Sequence, residues 1–215
     1  MSLIAIIDYG MGNLRSVSQA LNHVAPSSVT VEITSDKETI LNADRVVFPG
    51  QGAARDCMRE LKNYDLIDVV KESAKTKPFF GICMGMQVLM ERSDENEGVE
   101  CLGQYKGEVK NFAQVIEQNT TGERLKIPHM GWNQIHQKTD HPLWHGIESG
   151  SRFYFVHSYY VQPEDTALIT GETDYGIAYA SAIAKDNVFA IQAHPEKSAE
   201  DGLQLLKNFT QWDGK

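Results

Sequence analysis

The sequence predicts an α/β fold, an open and mostly parallel sheet flanked by helices, with a β-rich C-terminal half. Two observations carry this expectation. In the N-terminal half, short apolar runs alternate with stretches of helical periodicity, the pattern of strands joined by crossover helices. From about Gly103 the pattern changes to strand-like segments divided by turn residues, and the chain closes on one more amphipathic helix.

The first strand is Leu3 to Ile7. Leu14, Val17, Leu21 and Val24 then recur at steps of three and four, so they form the buried stripe of a helix, with Asn13 placed to cap it. Val29 to Ile33, Val46 to Phe48 and Phe79 to Ile82 are further apolar runs, and Leu66, Ile67, Val69, Val70 and Ala74 predict a helix ending before Pro78. The run at Phe79 leads into Gly81-Ile82-Cys83-Met84-Gly85 and a helix-forming segment, Val88 to Glu91. Later strands are expected over Phe153 to Val161, Ala167 to Thr170, Ile177 to Ala184 and Val188 to Ala193. In the last helix, Ser198 to Trp212, Leu203, Leu206 and Phe209 share a face, and Ser198 with Asp201 resembles a capping box. No internal repeat or linker divides the chain, so a single domain over 1–215 is expected.

The chain has 215 residues, 41% hydrophobic and 23% charged, close to globular averages and unlike disordered or coiled-coil sequences. A net charge of −9 argues against a nucleic-acid partner, since phosphate binding rests on clustered Lys and Arg. The N-terminal apolar run lacks a preceding basic segment and meets Asp8 early, which suits a strand and not a signal peptide. No apolar stretch approaches the roughly 18–20 residues that cross a bilayer, so no membrane partner is expected. Cys57, Cys83 and Cys101 are odd in number and lack CxxC spacing, which fits a reducing cytoplasm and no disulfide framework. His141 and His145 have helical spacing, but Pro142 and Gly146 oppose a helix there, and neither metal nor cofactor is expected.

The chemistry concentrates in two motifs. Gly81-Ile82-Cys83-Met84-Gly85 between strand and helix is a nucleophile elbow carrying sulfur, with small residues where side chains would collide. It would present the thiol at a helix N-terminus, where thiolate is favoured and the Met84 N–H can serve an oxyanion. A packed core cysteine is the bland alternative. The second motif is Ala190-Ile191-Gln192-Ala193-His194-Pro195-Glu196, an apolar strand ending in a base and a carboxylate. Side chains two apart on extended backbone share a side, so Glu196 can hold one imidazole nitrogen and leave the other for the thiol. Alone, it could equally be a solvated loop end. A weaker signal, Phe48-Pro49-Gly50-Gln51-Gly52, places glycines where backbone N–H groups could approach a substrate, with Gly52 completing an oxyanion hole. Gly10-Met11-Gly12-Asn13 lacks the marks of a phosphate loop and is read as a turn.

With these residues in hand, the sequence resembles the class I (triad) glutamine amidotransferases along essentially its whole length, which implies a flavodoxin-like sheet. Within that family, Ile6 to Leu14, Pro128-His129-Met130-Gly131-Trp132-Asn133, Tyr154 to Tyr159 and Lys197-Ser198 resemble the glutaminases that serve imidazole glycerol phosphate synthase in histidine biosynthesis. The resemblance implies hydrolysis of L-glutamine to L-glutamate and ammonia by Cys83, His194 and Glu196. Gly50, Gly52 and Met84 would surround the oxyanion, and Gln87 with His157, Ser158 and Tyr159 would hold the glutamine. It also implies a heterodimer with a cyclase subunit built as a (βα)8 barrel, which uses the ammonia to form imidazole glycerol phosphate and aminoimidazole carboxamide ribonucleotide. Trp132 and Lys197 are the candidate partner contacts. A paralogous glutaminase feeding another acceptor, such as a sugar in surface-polysaccharide synthesis, would use the same catalytic residues. A thiol peptidase or a non-catalytic binding module fits less well.

Overall fold

The computed structural model describes residues 2–119 and 125–215. Its N-terminal half runs β1 (Ser2–Ile7), α1 (Leu14–Val24), β2 (Val29–Thr34), α2 (Lys37–Asn42), β3 (Arg45–Gly50), α3 (Ala54–Asn63), α4 (Ile67–Thr76), β4 (Phe79–Cys83) and α5 (Met84–Gln87). After it come β5 (Arg92–Ser93), β6 (Val99–Glu100), β7 (Gly107–Asn111), α6 (Phe112–Asn119), β8 (His129–Gln137), β9 (Ser151–His157) and β10 (Tyr159–Pro163). The chain ends with β11 (Ile169–Asp174), β12 (Ala178–Lys185), β13 (Val188–Ile191) and α7 (Ala199–Gln211).

The sheet begins β2-β1-β3-β4-β13, all parallel, which is the flavodoxin order with β13 as its fifth strand. Antiparallel strands β12, β10 and β7 extend it, and a branch through β11 carries β8 and β9. The central parallel strands β1, β3, β4 and β13 are apolar along most of their length because both faces are covered, whereas the edge strand β2 alternates with exposed Thr30 and Glu32. Ala5 and Ile7 of β1 join Val46, Phe48 and Phe79 in one core, under α2, α3 and α4. The alternate residues Ile4, Ile6, Val47 and Phe80 face the other way, to Val17 and Leu21 of α1 and Leu205, Leu206 and Phe209 of α7. Leu205 thus takes the buried place expected of Leu203, which is only half-buried.

Several local expectations are corrected. Asn13 occupies the cap position of α1, but its side chain makes no capping bond. Ser198 does not close a capping box either: its Oγ donates to His194 O at 2.6 Å and accepts from the Tyr154 N–H at 3.0 Å. Val88 to Glu91 is not helical. Its carbonyls accept from the N–H groups of Leu102, Tyr105, Gly103 and Cys101, so a returning segment replaces the amides of a continuing helix. The N-terminal capping acceptor of α3 is equally remote, since Glu95 Oε2 accepts from the Ala54 N–H at 2.6 Å across 41 residues. A helix capped from so far away carries no local start signal, and periodicity alone missed both α3 and the six-residue α2.

Candidate active site

Strand register brings the motifs together. Gly50 of β3 lies opposite Cys83 at the end of β4, while Ile191 of β13 lies opposite Ile82 on the other side. The expected elbow is present: Cys83 has φ +55° and ψ −109°, a conformation L-residues avoid, held by the strand before it and the helical turn after it. The flanking glycines are required by space. A Cβ on Gly85 would sit 1.9 Å from the Phe48 carbonyl oxygen, and one on Gly81 would sit 2.8 Å from the Gly85 oxygen. The helix behind the thiol has only four residues, so what it offers an anion is the free amides of one turn and not a long macrodipole.

His194 and Glu196 meet, with Nδ1 and Oε1 2.9 Å apart and both side chains buried, but through a 3-10 turn over Pro195–Lys197 and not along the extended backbone expected. His194 Nε2 is buried with no hydrogen-bond partner of good geometry among the described residues, while Cys83 lies close enough to act on the ring. Burial opposes a charged ring here, but the nearby Cys83 and then Glu196 outweigh it and push His194 up to about 10. Its loop is fastened to β9, because the His194 N–H donates to Tyr154 O at 2.9 Å and Ser198 bridges the same two segments. Of the other two cysteines, burial pushes Cys57 up to about 12 and Cys101 up to about 11.

The remaining expected residues divide into those at the thiol and those behind it. Gln87 Nε2 donates to Tyr159 O at 3.2 Å and to Gln192 Oε1 at 3.0 Å. His157 is buried, and its Nδ1 donates to the same Tyr159 oxygen at 2.8 Å. Its Nε2 lies 3.1 Å from His129 Nδ1 and 3.2 Å from the Tyr179 hydroxyl, and burial pushes His157 down to about 3 and His129 down to about 4. His157 therefore shapes the turn at Ser158, whose oxygen accepts from the Phe112 N–H, while Tyr159 stays half-buried. Gly52, at φ +92°, follows Gly50, whose hypothetical Cβ would fall 2.4 Å from the Tyr9 hydroxyl. That hydroxyl donates to Pro49 O at 2.9 Å. Sequence reasoning passed over Tyr9 and Gln192. Gln192 at least carried a signal, as the one polar residue in an otherwise apolar strand end.

Met130 and Trp132 are the exposed large apolar residues of β8, 61% and 45% exposed. Trp132 meets the Tyr154 ring edge-on at 6.2 Å, and Lys197 Nζ sits 5.9 Å from the Tyr154 ring centre. An apolar patch with a cation at its rim thus adjoins the His194 loop.

The sheet order, the sulfur elbow and the His–Glu pair define a triad amidotransferase arrangement, and the sequence comparison agrees. The chain belongs to the class-I glutamine amidotransferases, whose family model matches residues 5–212. It is 56% identical over 214 residues to imidazole glycerol phosphate synthase subunit HisH of Hydrogenovibrio crunogenus, covering 99% of this chain and 98% of that one. The subunit of the same name from Dechloromonas aromatica is 58% identical over 209 residues, covering 97% and 96%. Among solved structures, a crystal structure of glutamine amidotransferase matches with TM-score 0.70 at 15% identity, covering 99% of both chains. A chain in the structure of PurLQS from Thermotoga maritima matches with TM-score 0.69 at 18% identity, covering 98% of both chains. At those identities the structures establish the fold alone. Among the described residues no helix is long and apolar enough to cross a membrane.

Proposed function

We propose that this chain is the glutaminase subunit of an imidazole glycerol phosphate synthase, formed as one amidotransferase domain over 1–215. It hydrolyses L-glutamine and passes ammonia to a cyclase subunit with a (βα)8 barrel fold, in the cytoplasm. The observation that carries the chemistry is the buried, unbonded Nε2 of a His194 already held by Glu196, next to Cys83 on its elbow.

The Cys83 thiolate attacks the side-chain carbonyl carbon of glutamine, and the oxygen becomes an oxyanion. The Met84 N–H, joined by an N–H from the Gly50–Gly52 segment, receives it. His194 gives its proton to the departing nitrogen, releasing ammonia and leaving a glutamyl thioester. A water then loses its proton to His194 and attacks the thioester, which frees glutamate and restores the thiolate. Gln87 and the turn at Ser158 and Tyr159 line the glutamine site, and His157 fixes that turn from behind. Met130, Trp132 and Lys197 form the cyclase-facing surface, which adjoins the catalytic loop through Tyr154.

Coupling to the partner would act on the Gly50–Gly52 segment, anchored at Pro49 by Tyr9 and free to turn a backbone N–H beyond it. Losing one such donor costs about 10²–10³ in rate, enough for an off state. The test measures glutamate release by the chain alone, with the cyclase, and with the cyclase plus its acceptor nucleotide. Strong acceleration only in the last case is expected, and in the complex Cys83→Ala abolishes glutamine-dependent turnover while keeping turnover with ammonium salts. Full activity in the isolated chain overturns the coupling, and glutamine hydrolysis by Cys83→Ala overturns the nucleophile.

A further inference from the structure

We infer that Gln192 is a positioning residue for the thiolate: its side-chain amide donates to the Cys83 sulfur and favours the anion, and Gln87 with the Tyr159 carbonyl fixes which way that amide points. The inference rests on the assignment of Cys83 as nucleophile and adds a residue to it.

The amide direction follows from the hydrogen-bond chain. A backbone carbonyl only accepts, so the end of Gln87 facing Tyr159 O at 3.2 Å is its NH2 group. The other hydrogen of that NH2 points to Gln192 at 3.0 Å, so the facing atom of Gln192 is its oxygen. The nitrogen of Gln192 is thereby turned to Cys83 Sγ, 3.5 Å away, inside a site where Gln192 has no exposed surface. The reverse orientation would oppose two donors across one contact and two acceptors across the other. A fixed donor stabilises an anionic sulfur far more than a neutral thiol, whose sulfur is a weak acceptor. The anchor at Tyr159 O is itself held by His157 Nδ1 at 2.8 Å, so the direction of the last donor is set three residues away from the sulfur along the chain of bonds.

The measurement is the rate of iodoacetamide labelling of Cys83 in the purified chain across pH, read by mass spectrometry, with circular dichroism to check folding. Gln192→Met keeps the length and removes the donor; Gln192→Glu puts an acceptor in its place. Gln192→Met is expected to label about tenfold more slowly at pH 7, with its rate–pH profile displaced upward by about one unit, and Gln192→Glu to be slower still. A folded Gln192→Met with the native profile overturns the inference. If either Gln192 variant loses the fold, Gln87→Met decides: releasing the amide gives a smaller upward displacement, and a native profile overturns the relay. The underlying assignment fails differently, through a Cys83→Ala chain that still hydrolyses glutamine.

Discussion

The parallel half of the molecule and its antiparallel extension handle the same need, a rigid polar site, in opposite ways. In the parallel half, rigidity is steric: Cys83 is held at φ +55° between Gly81 and Gly85, both pressed against backbone. In the antiparallel part it comes from buried polar contacts, where His129, His157 and Tyr179 share hydrogen bonds and pass their support to Tyr159 O. In the proposed reaction the parallel strands supply the reacting groups, and the extension supplies the backing and the exposed face of β8. The lesson is that close packing fixes a nucleophile, while a network can aim donors that packing leaves free.

The largest expected effect lies at the ends of the parallel strands. In the complex with the cyclase and its acceptor, His194→Ala should lower steady-state glutaminase turnover about 10³-fold or more, through loss of the proton carrier. Glu196→Gln should be milder by about ten- to a hundredfold, because it orients the ring and forms no bond to substrate. Equal losses would remove Glu196 from the orienting role.

Next comes steric rigidity itself. Gly85→Ala drives a Cβ into the Phe48 carbonyl, 1.9 Å away, and should cost about 3 kcal/mol or more of stability in urea unfolding. Gly103, beyond the parallel half, has φ +63° and open space around a hypothetical Cβ, so Gly103→Ala should cost only about 1 kcal/mol. Similar losses at the two sites would erase the distinction drawn between the regions.

The smallest effect, per pH unit, belongs to the polar network. Burial pushes His129 down to about 4 and His157 down to about 3, so both remain neutral in the folded chain while the unfolded chain takes up protons below about 6.5. The contribution of these two histidines is thus undiminished above pH 6.5 and is lost as acid is added toward pH 4, by up to about 1.4 kcal/mol per unit for each. Urea midpoints measured between pH 7 and 4.5 should show this slope, reduced in His157→Gln. An unchanged slope in that variant would place the acid sensitivity elsewhere.

The sequence by itself determined what depends on neighbours along the chain. Continuous apolar runs marked strands buried on both faces, the glycines around Cys83 marked the elbow, and the closeness of His194 and Glu196 in the chain paired base with acid, though by a 3-10 turn and not an extended one. Tertiary structure decided whatever depends on a partner far away in the chain. The helix after Cys83 stops at Gln87 because carbonyls 88–91 are taken by amides returning from 101–105. Likewise α3 starts where Glu95 can reach it, and Gln192 points at Cys83 only because Gln87 and Tyr159 turn it there. Those partners lie 41, 105 and 109 residues apart for the Glu95–Ala54, Gln87–Gln192 and Gln192–Cys83 bonds, and no local periodicity encodes a hydrogen bond over such separations.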